Sequence, residues 1–160
     1  MRLVVNQKYF ALRDRFTVNY DNGQPAYAVE GKLISIGKKF TMYYPNGKEL
    51  FFVRQRLFRL LARFDIEQNG NKVGVFRSQL SLFTKRGKFT SDFFGDIKIK
   101  GNVMDWTFRF YDGNGNQIAE TSKKILKVRD TYTVDIMDMR YQDIIAALVV
   151  IIDALYHRKH

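Results

Sequence analysis

Asp143-Ile-Ile-Ala-Ala-Leu-Val-Val-Ile-Ile-Asp-Ala-Leu-Tyr156 is the stretch on which the architecture turns. It is too long for an ordinary strand. Its acidic start and the His157-Arg158-Lys159 that follows complement a helix dipole, so a helix is expected over about 141–156. At 1.5 Å rise per residue such a helix is about 24 Å long. Because Ile144 to Ile152 is one unbroken apolar run, the helix has no polar face to offer water and must be buried all round. That run is nine residues, whereas a membrane span needs about 20. No transmembrane segment is expected.

The residues before this helix repeat. Phe40-Thr-Met-Tyr-Tyr-Pro-Asn-Gly-Lys-Glu-Leu50 falls on Phe108-Arg-Phe-Tyr-Asp-Gly-Asn-Gly-Asn-Gln-Ile118 after a shift of 68 residues, which carries Asn46-Gly47 onto Asn114-Gly115. The same shift aligns Arg56 with Lys124, Leu57 with Ile125, Phe64 with Tyr132 and Ile66 with Val134. A further copy lies 24 residues earlier, with Phe16, Val18, Asn22-Gly23, Val29, Lys32 and Leu33 in register. Each unit reads as strand, Asn-Gly turn, strand, and Asn-Gly suits the positive φ angles of a type I′ turn. Within the units the period is two. Phe16/Val18/Tyr20, Phe40/Met42/Tyr44, Trp106/Phe108/Phe110 and Tyr132/Val134/Ile136 share one face, with Thr and charged residues between them. Ile97 and Ile99 alternate with Lys98 and Lys100 in the same way. Leu57 to Phe64 mixes Leu with Arg, and the repeat register favours a strand there too.

Turn signals recur about every 10–12 residues as far as residue 138, implying on the order of a dozen short strands over about 2–138. The expected fold is mainly β, a single domain over 1–160: a closed barrel of about twelve strands around the C-terminal helix, which hides every helix face and every strand edge. Composition agrees. Fourteen Phe, nine Tyr and one Trp are ample core material, and two Pro and eleven Gly exclude collagen-like or low-complexity character. The absence of Cys excludes a disulfide scaffold, a thiol nucleophile and Cys-ligated zinc. Met1 to Phe10 has neither the apolar core nor the cleavage site of a signal peptide. A cytoplasmic protein, at most peripheral to a membrane, is the expectation.

Gly31-Lys-Leu-Ile-Ser-Ile-Gly-Lys-Lys-Phe40 with the following Asn46-Gly47 hairpin, Ile118-Ala-Glu-Thr-Ser-Lys-Lys-Ile125, Asp130-Thr-Tyr-Thr-Val-Asp-Ile136 and Val149-Val-Ile-Ile-Asp153 together resemble the LURP-one-related family, in particular its small bacterial members. The resemblance covers nearly the whole chain. It implies a tubby C-terminal-like and phospholipid scramblase-like barrel around a hydrophobic helix, no catalytic residues, and contact with membranes or partner proteins. Tubby domains bind phosphoinositides, but no motif here carries their lipid-contacting residues over one by one, so lipid binding is an analogy at fold level.

Candidate chemistry is sparse. His157 and His160 are the only histidines and both lie in the tail, so a Ser-His-Asp triad or multi-histidine metal site would need that tail folded back over the barrel. Asp112-Gly-Asn-Gly-Asn-Gln117 opens like a calcium loop but has Gln117 in place of the required Gly and Lys123 in place of the bidentate Glu, and reads as a hairpin turn. Asp135, Asp138 and Asp143 stand near the helix start, where scramblases are held to bind calcium; the simpler reading is that Asp138 or Asp143 caps the helix. Neither enzyme activity, metal nor cofactor is expected. Asp153, a carboxylate after nine apolar residues, reads as a buried, hydrogen-bonded anchor that sets how far the helix inserts.

The remaining signal is charge: 27 Lys and Arg against 16 Asp and Glu, a net +11. Lys32, Arg56 and Lys124 are equivalent under the repeat, and Arg54 shares the strand parity of Arg56. If Phe51, Val53 and Leu57 point inward, these four point outward. Lys38-Lys39, Lys85-Arg86-Gly-Lys88 and Lys123 add to the excess. The candidate anionic-ligand residues are therefore Lys32, Arg54, Arg56, Lys123 and Lys124. The expected function is a non-enzymatic binding or scaffold module contacting anionic phospholipid or a protein partner. The alternative is a nucleic-acid-binding module, ranked lower because no RNP-type signature accompanies the interleaved aromatics.

Overall fold

The structure, a computed structural model, describes residues 1–7, 15–82, 84–123 and 131–156. Twelve strands follow in chain order: β1 (Arg2–Asn6), β2 (Arg15–Tyr20), β3 (Pro25–Lys32), β4 (Lys39–Tyr43), β5 (Glu49–Arg56), β6 (Arg63–Gln68), β7 (Asn71–Gln79), β8 (Lys85–Thr90), β9 (Ile97–Asn102), β10 (Thr107–Tyr111), β11 (Gln117–Ser122) and β12 (Thr131–Ile136). A 3-10 turn, Met139–Tyr141, leads into α1 (Gln142–Tyr156). Every strand pairs antiparallel with its chain neighbours, and β12 returns to β1 with Leu3 opposite Val134 and Val5 opposite Tyr132. The sheet is thereby closed without an exposed edge.

Strand alternation builds the lining. Phe16, Val18, Phe40, Met42, Phe51, Val53, Phe108, Phe110, Tyr132, Val134 and Ile136 are all buried, and Ile97 and Ile99 point in while Lys98 and Lys100 point out. Down the middle runs α1, with every residue from Ile144 to Asp153 buried. A barrel wide enough for a helix must still close tightly upon it. Three phenylalanine rings meet this demand by lying against glycines of neighbouring strands: Phe89 against Gly74, Phe76 against Gly87 and Phe108 against Gly101, where any Cβ would overlap the ring.

Two expectations are corrected. Leu57 does not point inward: it is about half exposed, and only Arg63 and Phe64 of the Leu57–Phe64 stretch belong to a strand. Arg56 and Arg63 already pair across the β5–β6 hairpin, so the residues between them must form its loop, with Phe58 at φ 60°. The hairpin turns also differ in type. At Asn22-Gly23, Asn46-Gly47 and Asn114-Gly115 only the glycine has positive φ, and the register slips by a residue just before each turn. That is a type I turn followed by a glycine bulge. Asn69-Gly70, with both φ values positive (52° and 79°), has the type I′ geometry.

The meander alternates direction, so connections fall at two ends. The turn end carries the β2–β3, β4–β5, β6–β7, β8–β9 and β10–β11 hairpins and the start of α1. The loop end carries the β3–β4, β5–β6, β7–β8 and β9–β10 connections and the finish of α1.

Candidate functional site

Strand parity and register arrange the outward basic residues into a belt. Lys32 of β3 faces Lys39 of β4, which faces Arg54 of β5. Two residues on, Arg56 faces Arg63 of β6, which faces Arg77 of β7, then Lys88 of β8 and Lys98 of β9. Arg86 faces Lys100, which faces Arg109 of β10. Like charges directly opposite each other destabilise a sheet pair, yet these ladders place them so across eight consecutive strands. Among the described residues three acids interrupt the belt: Asp65, Asp96 and Glu120, the last 3.3 Å from Arg109. Asp65 is buried and holds Arg56 at 2.5 Å and Arg63 at 3.2 Å. Burial pushes its carboxyl up, but the two guanidinium hydrogen bonds outweigh burial and hold it below the usual carboxylate range. Asp96 lies 3.8 Å from Lys88. Among the described residues Lys32, Lys39, Arg54 and Arg77 have no acidic partner within ion-pair reach.

The candidate residues therefore divide. Lys32, Arg54 and Arg56 stand together, although Arg56 is committed to Asp65. Lys123 follows β11 on the opposite wall, with its Nζ 5.4 Å from the centroid of the Trp106 ring. Lys124, like His157 and His160, lies outside the described residues. Arg63, Arg77, Lys98, Lys100 and Arg109 escaped the sequence reading as site members. The alternation of Lys98 and Lys100 with Ile97 and Ile99 marked two of them as outward, but which residue of the next strand each would face depends on register.

A carboxylate secures the helix at each end. Asp153 is fully buried and accepts a hydrogen bond from the Tyr132 hydroxyl at 2.9 Å. Burial pushes its carboxyl up to about 8, against the opposing pull of Tyr132, the Lys123 charge and a hydrogen bond with Gln7. The placement fits an anchor. Asp143 accepts from the hydroxyls of Tyr27 and Tyr44, the latter at 2.6 Å. Burial and this carboxylate push the Tyr44 hydroxyl up to about 12. Asp143 thus ties the helix start to the wall, while Asp138 is the residue that caps, accepting from the Arg140 backbone N–H at 3.1 Å at the head of the 3-10 turn. Asp135 is held by Arg2 at 2.6 Å. Asp112 spends its carboxylate on the backbone N–H groups of Asn114 and Asn116, each at 2.9 Å, closing its hairpin. Among the described residues no three acidic or histidine side chains converge as metal ligands, and no helix is long and apolar enough to cross a membrane.

Comparison with known proteins places the chain. A family model described as LURP-one-related matches residues 1–153. A crystal structure of a protein from Arabidopsis thaliana is similar at a TM-score of 0.68 and 17% identity, over 96% of this chain and 90% of that one, which shows a shared fold. A comparison with curated proteins gave no match. The chain belongs to the LURP-one-related family.

Proposed function

We propose that this LURP-one-related barrel is a non-enzymatic, peripheral binding module whose basic belt holds the anionic headgroups of a phospholipid surface. The observation that carries the reading is the set of ladders Lys32–Lys39–Arg54 and Arg63–Arg77–Lys88–Lys98, in which cations face cations on adjacent strands. Such pairs cost stability in the free sheet, and an array of anions relieves that cost. Near an anionic membrane each Lys or Arg contributes about 1 kcal/mol of attraction.

Vesicles of phosphatidylcholine with phosphatidylserine or a phosphoinositide are expected to sediment the protein, and phosphatidylcholine alone is not. Changing Lys32, Lys39 and Arg54 to Glu is expected to weaken binding by at least about tenfold. Changing Lys48 and Lys72, near the turn end, is expected to do far less. Since nucleic-acid binding also weakens with salt, competition decides the class. Stripping of the protein from vesicles by excess single-stranded oligonucleotide would overturn the lipid reading in favour of nucleic acid. Binding to neither would leave a protein partner.

A further inference from the structure

Among the described residues, the exposed large apolar side chains all lie outside the strands, and most crown one end of the barrel. Ile36 projects from the β3–β4 connection, Phe58 and Leu60 from β5–β6, Leu80 and Leu82 from β7–β8, and Met104 from β9–β10. Phe58, Leu60, Leu82 and Met104 are each more than nine-tenths exposed. These connections are successive around the loop end, and they leave the same strands that carry the basic belt. Lys32 and Lys39 flank the first, and Arg56 and Arg63 the second.

We infer that the loop end inserts these apolar tips into the headgroup region of an anionic bilayer, with the belt residues at phosphate level and the finish of α1 directed toward the membrane. The inference rests on the phospholipid reading above and gives it an orientation. Three observations carry it. First, the spacing fits: Phe58 is two residues past Arg56 and Ile36 four past Lys32. At about 3.3 Å per extended residue the tips reach at most about 7 Å and about 13 Å beyond those cations, limits that span the roughly 5–10 Å depth at which interfacial apolar groups lie. Second, the tips occupy four separate connections and project singly, so a fluid hydrocarbon layer accommodates them where one rigid concave partner would need a matching pit for each. Third, Phe58 is a bulky side chain at φ 60° with its whole surface in water. A left-handed backbone costs such a residue free energy that no contact in the free protein returns.

The chain has no cysteine, so single substitutions Ile36→Cys, Phe58→Cys, Leu82→Cys and, at the turn end, Phe93→Cys can each carry an environment-sensitive dye. With phosphatidylserine-containing vesicles, the first three are expected to blue-shift and to be quenched by lipids brominated near the headgroup, and the Phe93 site to stay unchanged. The variant Leu60→Ser/Leu82→Ser is expected to bind such vesicles at least about tenfold more weakly. Sedimentation with vesicles but no blue shift at any loop site would overturn insertion and leave charge-driven adsorption standing. No sedimentation would overturn both readings. A blue shift without vesicles, together with a doubled hydrodynamic mass, would show that the tips cover a second copy of the chain and would also overturn insertion.

Discussion

The two ends of the barrel are made by the same meander and behave as opposites. At the turn end the connections consume their own polar groups: Asn22 accepts from the Gln24 N–H, Asn46 from the Lys48 N–H, and Asp112 from two N–H groups of its turn. Asp21, Asp92, Asp112 and Asp138 also concentrate there. At the loop end the connections expose apolar side chains near Lys32, Lys39, Arg54 and Arg77, which among the described residues have no acidic partner. The turn end also exposes Phe93, Met137 and Met139, but beside polar groups already spent, whereas unrelieved charge and wet hydrocarbon on one surface are both relieved by an anionic, apolar-cored phase. The contrast extends inside, where Asp143 sits half-buried under two tyrosine hydroxyls and Asp153 is sealed from water.

The severest way to break the comparison is to remove what joins the ends. Cutting the chain after Met139 takes away α1, whose Ile144, Leu148, Val149, Ile151 and Ile152 each bring about 1.5–3 kcal/mol of burial, together rivalling the stability of a whole domain. The truncated chain is expected to be insoluble or molten. A cooperative melt with a well-dispersed amide spectrum would show instead that the two ends hold together without the helix.

Next in size is the sealed carboxylate. Asp153→Ala strands the Tyr132 hydroxyl in the core and is expected to cost about 1–3 kcal/mol in a urea melt. A change under about 0.5 kcal/mol would mean that the loop-end anchor carries no weight. The same group sets a pH dependence. Its carboxyl titrates at about 8 in the fold rather than at the ordinary 3.8, so between those values the native state holds the extra proton. Its contribution to stability is therefore full below about pH 4 and falls as pH rises to about 8. Asp153→Asn cannot titrate, so its stability relative to the parent is expected to improve from pH 5 to pH 8 in paired melts. A constant difference would place Asp153 among ordinary carboxylates. Smallest is the turn-end counterpart. Asp143→Ala removes the acceptor of the buried Tyr27 and half-buried Tyr44 hydroxyls, but Asp143 is itself half-buried, so water can take its place, and about 1 kcal/mol is expected. A loss larger than that of Asp153→Ala would invert the ranking of the two anchors.

Most of the architecture was legible in local pattern, because its causes are local. Period-two alternation from Phe16 to Ile136 set which side chains line the barrel, and an apolar run with no polar face left α1 nowhere to go but inside. The burial and hydrogen bonding of Asp153 were foreseeable because a carboxylate embedded in such a run must find partners. Leu57 was misread for an equally physical reason. Parity predicts direction only while the ladder continues, and the ladder stops where Arg56 meets Arg63.

What the sequence by itself determined is thus the closed barrel, its helix and the excess of outward cations. Tertiary structure alone decided which cations face one another, that Lys123 stands on the opposite wall from Arg54, and that Asp65 claims Arg56. It also decided that Ile36, Phe58, Leu60, Leu82 and Met104 share one end of the molecule. Side-chain direction follows from the covalent geometry of one strand, but neighbourhood across strands follows from register. Register is settled only when bulges, turns and barrel closure are satisfied together.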